Sequence, residues 1–308
     1  MANKKLNKNY RIAIIGAGKI AFSLTDSLIK SGFNITSIIS KNILSAKKLA
    51  SLYKIKVYSN KLQDIHLDTN IFLISVPDEQ IKNIDTKLSK LNFNFCESIF
   101  VHFSGSLNSS IMNRIKENNG ITASFHIMQT FPSKKIIPLA GSFAAVETDN
   151  KESKDTLFFI AKSMNLIPFS VQKDKKMLYH LSGVYASNFF VGNIFISEEL
   201  FKMSGIKGIK YDDLILPILN STYRNIKNNG ALKSLSGPIE RGDFDTIKNH
   251  ITSIRNKKLK SNFVLLNYIV QSLSLLTLIK QRESRLTKSQ VNIHKYLNSE
   301  LNTLLAKK

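Results

Sequence analysis

Hydrophobic residues along this chain change their period once. Through the first half, short apolar runs rich in β-branched side chains recur at residues 11–15 (RIAII), 35–39, 56–58, 71–76, 98–103 and 121–125, separated by amphipathic stretches such as 19–30. Runs of this kind predict parallel strands covered by helices. Two further runs, 143–147 and 166–170, flank a helical stretch near 151–163. Beyond about residue 172 the strand pattern stops and a helical period takes over, at 173–203, 211–228, 243–253, 257–279 and 288–306. The expected class is α/β, with a doubly wound, mostly parallel sheet in residues 1–172 and an all-helical domain in 173–308. No internal repeat or low-complexity linker marks the joint, so the boundary rests on the change of period alone.

Composition narrows this further. With 308 residues, 43% of them apolar, the chain exceeds the size at which a single core usually stops growing, which favours two domains. The lone cysteine, Cys96, excludes an internal disulfide, and the N-terminal apolar run ends early, at Gly16, unlike a signal peptide; a cytoplasmic location is expected. The longest apolar stretch, 263–279, is short for a bilayer span and contains Asn267 and Gln271, so a buried helix and no membrane partner are expected. The formal charge of +22 comes from lysines spread along the chain; the densest clusters, KDKK at 173–176 and KKLK at 257–260, are short. That distribution predicts a solvated basic surface and no nucleic-acid partner.

Candidate chemistry begins with GAGKIA, residues 16–21, directly after the first strand and opening a helix. Gly16 suits the tight turn, Gly18 lets a pyrophosphate approach the backbone, and Ala21 allows close packing of helix on sheet. The loop Gly16, Ala17, Gly18, Lys19 and Ile20 would then present the helix N-terminus to a dinucleotide, as in a Rossmann fold. Between residues 35 and 63 there is no acid to hold a ribose 2′-hydroxyl; Ser40 and Lys41 at the end of the second strand suit a 2′-phosphate, hence NADP.

Three more loops fall at carboxyl ends of strands, where such sheets bind ligands. SVPDEQI brings Val76 and Pro77, with Asp78 as a candidate helix cap. HFSGSL brings Ser104 and Gly105 toward the cofactor and Ser106 toward a substrate, with open backbone N–H groups. FHIMQTFP adds His126 and Gln129 as substrate contacts. The stretch YHLSGVYASNFF, 179–190, read as a helix, aligns His180, Gly183, Val184, Ser187 and Val191 on one stripe, with Asn188 at its edge. This polar seam is either catalytic, with His180 as proton donor and Ser187 and Asn188 as hydrogen-bonding partners, or ordinary core bonding. In SGPIERGD, 236–243, Gly242 suits an unusual backbone angle and Asp243 a helix cap. Arg241 there either pairs with Glu240 or holds an anionic substrate group.

Taken together, GAGKIA, the SxPDxxI turn, HFSGSL, HIMQTFP, YHLSGVYASN and SLSGPIERGD resemble Rossmann-like proteins whose C-terminal half is a domain of unknown function. They are related to pyrroline-5-carboxylate reductase, ketopantoate reductase and the 3-hydroxyacid dehydrogenases. The resemblance spans about residues 11–272 and implies a nicotinamide cofactor, a helical second domain and a homodimer. The hydroxyacid dehydrogenases and ketopantoate reductases use a lysine four residues before an asparagine on the corresponding helix; here Val184 stands four before Asn188. Gln129 and Thr130 replace the Pro and Asn of the pyrroline-5-carboxylate reductase loop. The expectation is an NADP-dependent oxidoreductase acting on a small carbonyl, hydroxy-acid or imine substrate in an interdomain cleft, without a metal. The alternative is a non-catalytic NADP-binding regulator or scaffold.

Overall fold

The computed structural model describes residues 10–256 and 263–306. Eight strands form one sheet: β1 (Arg11–Ile15), β2 (Asn34–Ile39), β3 (Val57–Ser59), β4 (Ile71–Ile74), β5 (Ile99–His102), β6 (Ile121–Ile127), β7 (Phe143–Glu147) and β8 (Ile167–Ser170). Their order is β3-β2-β1-β4-β5-β6-β7-β8. Every neighbouring pair is parallel except β6 and β7. The exception has a local cause: residues 128–142 form no helix, so the chain turns straight back instead of crossing over the sheet.

Helices α1 (Lys19–Lys30), α2 (Ile43–Leu52), α3 (Asp78–Leu88), α4 (Asn113–Glu117) and α5 (Lys151–Ser163) lie among the strands in sequence. Ile12 and Ile14 pack into one core with residues of α1, α2 and α5, while Ala13 and Ile15 pack into a second with residues of α3 and α4. Both faces of β1 are therefore covered, which is why its sequence is an unbroken apolar run. Ala21 is fully buried, as close packing of α1 on the sheet requires. β1 and β4 are neighbours although β2 and β3 intervene in sequence, and at this reversal of winding a doubly wound sheet binds ligands beyond the carboxyl ends of its strands.

The chain divides into two compact units, Met1–Phe190 and Val191–Lys308. Strands end at Ser170, near the expected change of period, yet the first unit keeps the next helix, α6 (Lys176–Gly183), in which Lys176 is buried. The single helix expected over 173–203 is interrupted: after α6 the backbone widens to π geometry over Val184–Asn188, and α7 (Phe189–Ser204) follows.

The second unit continues with α8 (Tyr211–Asn229), α9 (Pro238–Arg241), α10 (Phe244–Asn256), α11 (Phe263–Glu283) and α12 (Lys288–Ala306). By length and composition α11 could cross a bilayer, but it buries Leu265, Ile269, Ser272, Leu276 and Ile279 as a stripe in a core shared with α9, α10 and α12. The expected helix start at 257 and the KKLK cluster lie outside the described residues. Neither α7 nor α8 buries a residue, and Phe189, Phe195, Leu216, Ile218 and Tyr223 are exposed on them.

Candidate functional site

Gly16 sits at φ +106°, and a Cβ there would lie 2.5 Å from the Ser75 carbonyl oxygen. Its N–H donates to the Ile39 carbonyl at 2.7 Å, and the Ser75 hydroxyl donates to the Gly16 carbonyl at 2.6 Å. The turn itself thus demands glycine. Gly18 differs: its φ is −82°, and a Cβ would meet only the Ser75 carbonyl oxygen, at an ordinary 3.5 Å. The chain's own packing does not require glycine there. Gly18 occupies the N-cap of α1 without any side-chain cap, and the first turn carries no acid. The orphan N–H groups and positive end of α1 are what a phosphate group would satisfy. Ala17 is buried, Ile20 half-buried and Lys19 exposed. The residues present fit a dinucleotide.

At the end of β2, the Ser40 N–H donates to the Ser59 carbonyl at 2.9 Å, Lys41 is exposed, and Asn42 caps α2 by accepting from the Ser45 N–H at 3.1 Å. Two further charges reach this corner through tertiary structure. Lys134 donates to the Ser45 hydroxyl at 2.9 Å, and Asp64, just past the acid-free stretch, accepts from the Ser59 hydroxyl.

Pro77, not Asp78, holds the N-cap position of α3. The Asp78 carboxylate instead accepts from the hydroxyls of Ser104 at 2.6 Å and Ser106 at 3.1 Å, tying the loop after β4 to the loop after β5. The backbone N–H groups expected to be open in HFSGSL are largely spent within the turn. Ser104 N–H donates to His102 Nδ1 at 3.2 Å, and Ser106 and Leu107 N–H donate to the Ser104 hydroxyl at 3.2 and 3.0 Å.

Two imidazoles meet beside Gly105. A Cβ on this buried residue would lie 2.3 Å from His180 Nδ1 and 2.8 Å from His126 Nε2, so only glycine admits both rings. His126 comes from β6 and His180 from α6; the rings stand 5.7 Å apart at 84°. His126 Nδ1 shares a 3.0 Å hydrogen bond with the Tyr179 hydroxyl. Burial foremost, then the charge of Lys176, pushes His126 down to about 4, which keeps it neutral near pH 7. His102, fully buried, is lowered to about 4 for the same two reasons, and its Nε2 has no partner.

Lys176 joins these elements. The side chain is 1% exposed, and Nζ donates to the carbonyls of Ser104 at 2.7 Å and Gly105 at 3.2 Å. Burial lowers it to about 8 against the pull of Glu147 and Asp78. The sequence reading placed it in a solvated cluster, which holds for exposed Asp174 and Lys175, paired at 3.1 Å, but not for Lys176. Its spacing of four residues before His180 was the available signal, because that spacing puts both on one helix face.

The seam on 179–190 is real as far as Ser187: Lys176 is buried, and His180, Gly183, Val184 and Ser187 are half-buried. Asn188 and Val191 are exposed, and neither Ser187 nor Asn188 bonds to the imidazole cluster. Gly183 does not leave open space, since a Cβ there would meet Met128 Sδ at 3.0 Å. Gln129 is exposed and turned to its own loop, accepting from Thr130 N–H at 2.9 Å and donating to the Ser142 hydroxyl at 3.5 Å. Arg241 is exposed at the end of α9 in the second unit. Its neighbour Glu240 pairs with Arg282 rather than with Arg241. Gly242 is left-handed at φ 70°, and Asp243 caps α10 by accepting from the Thr246 N–H at 3.1 Å, as the sequence indicated. Among the described residues no group of His, Cys, Asp and Glu could hold a metal ion.

Residues 11–94, which contain the glycine loop and Asp78, match the family model described as NADP oxidoreductase coenzyme F420-dependent. Residues 142–268, which contain Lys176, Tyr179 and His180, match the domain of unknown function DUF2520. The chain thus joins a segment similar to the NADP oxidoreductases to one similar to DUF2520. Its fold is shared with a Bacteroides fragilis protein named as an NADP oxidoreductase, at 22% identity and TM-score 0.73, covering 86% of this chain and 97% of that one. A Thermotoga maritima protein is 25% identical at TM-score 0.65, covering 88% and 99%. The reductive aminase of Aspergillus terreus, solved with NADPH and ethyl levulinate, is 12% identical at TM-score 0.64, covering 94% and 99%. No curated protein matches the chain.

Proposed function

We propose that this protein is an NADP-dependent oxidoreductase acting on a small carbonyl, hydroxy-acid or imine compound at the rim where β5, β6 and α6 converge. The observation that carries the reading is the pairing of two features beyond strands of one sheet: an uncapped helix N-terminus after β1 behind a glycine the fold does not itself require, and two imidazoles converging beside Gly105 after β5.

NADP supplies or accepts the hydride when bound. The segment Gly16, Ala17, Gly18, Lys19 and Ile20 would hold its pyrophosphate, with Ser40 and Lys41 at the 2′-phosphate and Val76, Pro77, Ser104 and Gly105 flanking the remainder. His180 exchanges a proton with the substrate heteroatom, the role its ring chemistry suits best. His126 and Ser106 orient the substrate, and Lys176 fixes the turn that sets the imidazole spacing. Support for NADP comes from the matched oxidoreductase domain and from the similar fold of a reductive aminase solved with NADPH.

Calorimetric titration with NADPH, followed by turnover assays on 2-oxo acids, 3-oxo acids and cyclic imines, tests the reading. Absence of NADPH binding would sink it. Binding without turnover on any of these classes would leave the chain a cofactor-binding regulator.

A further inference from the structure

The two imidazoles beside Gly105 are not chemically equivalent. Among the described residues the half-buried Tyr179 has one hydroxyl partner, His126 Nδ1, at 3.0 Å. Burial keeps the phenol protonated by raising it to about 12. If Nδ1 carried the imidazole proton, the phenolic O–H would have no acceptor among the described residues, and leaving a half-buried donor unmade is costlier than bonding it. That balance favours Tyr179 as the donor, with the one proton of neutral His126 on Nε2. That nitrogen is the one facing Gly105, 2.8 Å from where a Cβ would sit.

Lys176 adds a positive charge, partly offset by Asp78 and Glu147. Lys176 lies behind the same turn with Nζ on the carbonyls of Ser104 and Gly105, and among the described residues no carboxylate lies within 4.0 Å of it. The nearby acids are already engaged: Glu147 by the N–H and hydroxyl of Ser109, and Asp78 by the hydroxyls of Ser104 and Ser106.

We propose that the notch between His126 Nε2 and His180 Nδ1 receives the oxygen of a neutral carbonyl compound rather than the N–H of a protonated imine. In it, His126 is a neutral hydrogen-bond donor and Tyr179 the positioning residue that selects its tautomer. This deepens the oxidoreductase reading and rests on it. A carbonyl oxygen accepts from Nε2–H and gains negative character as its carbon is reduced, which a fixed donor and a nearby ammonium favour. A protonated imine would bring a donor against a donor and a cation toward Lys176. The proton itself stays the task of His180.

Nitrogen-15 spectroscopy of histidine-labelled full-length protein tests this directly. In the parent, His126 is expected as the Nε2–H tautomer, and Tyr179→Phe is expected to populate both tautomers. Observation of the Nδ1–H form in the parent, or an unchanged tautomer in Tyr179→Phe, overturns the proposal; the parent spectrum decides even if the variant does not fold. Two probes of matched ring size are then titrated. Cyclopentanone is expected to shift the His126 Nε2 resonance and pyrrolidinium is not, and Tyr179→Phe is expected to weaken cyclopentanone about twofold or more, since only a fraction of the rings remains competent. A shift from pyrrolidinium alone, from both probes equally, or from neither overturns the carbonyl assignment. NADPH affinity is measured separately: its loss sinks the oxidoreductase reading while leaving the tautomer result intact, and an intact affinity with the wrong tautomer sinks only this inference.

Discussion

Lys176 donates from a fully buried ammonium to the carbonyl oxygen of Ser104 at 2.7 Å, so the first turn of α6 is fastened to the loop after β5 through a charge that water does not reach. Burial lowers this lysine from 10.5 to about 8. The unfolded chain therefore holds the proton between pH 8 and 10.5 while the folded chain has released it. Stability from this group rises with pH across that window, by about 3 kcal/mol in total. Urea unfolding of the parent and of Lys176→Met at both ends of the window is expected to show the parent gaining by roughly that amount relative to the variant. A stability difference independent of pH would contradict the assignment.

Gly105→Ala is expected to push the two imidazoles apart, because its Cβ would sit 2.3 Å from His180 Nδ1 and 2.8 Å from His126 Nε2. Overpacking of this kind costs about 1–3 kcal/mol. Denaturant titration should reveal the loss, and imidazole resonances of both histidines should move. A variant as stable as the parent with unshifted rings would show that the notch is wider than described.

Gly16 and Gly18 are expected to fail differently. Gly16→Ala puts a Cβ 2.5 Å from the Ser75 carbonyl oxygen at φ +106°, so it should destabilise the fold by about 1–3 kcal/mol or more. Gly18→Ala has room within the chain, at 3.5 Å, and should leave the melting temperature nearly unchanged while lowering NADPH affinity about tenfold or more. Scanning calorimetry and NADPH titration of both variants separate the roles; equal loss of stability in both would refute the distinction.

Cofactor choice is expected to favour NADPH over NADH by roughly ten- to a hundredfold, the worth of a charge-assisted contact to the 2′-phosphate. Lys41→Ala should erase much of it, and Lys134→Ala, which removes the ammonium on the Ser45 hydroxyl near the start of α2, should erase a further part. Equal affinities for the two cofactors in the parent would refute this preference.

A homodimer is expected, through α7 and α8 rather than α11. The apolar residues of α11 largely face their own core, whereas Phe195, Leu216 and Ile218 are exposed on the other two helices. Light scattering giving a single 34.7 kDa species at micromolar concentration would refute it.

Read alone, the sequence determined the strands, nearly to the residue, and the class of the fold. Runs such as RIAII and IFLI are apolar on both faces only because a covered parallel strand needs them so, and that information is local. The turn at Gly16 and the cap at Asp243 were equally local, since a backbone angle or an orphan N–H is satisfied within a few residues. Tertiary structure alone decided which polar groups meet. Asp78 has the look of a helix cap, and only the closeness of β4 to β5 turns it onto Ser104 and Ser106. Within KDKK only the spacing of four residues before His180 sets Lys176 apart, and its burial follows from which side of α6 lands on the sheet. His126 and His180 lie far apart in the chain and face each other only because Gly105 lacks the one carbon that would keep them apart. Periodicity reports which side of an element is covered, but the partner that covers it is chosen by packing across the whole sheet, and the chemistry of this site is made of such partners.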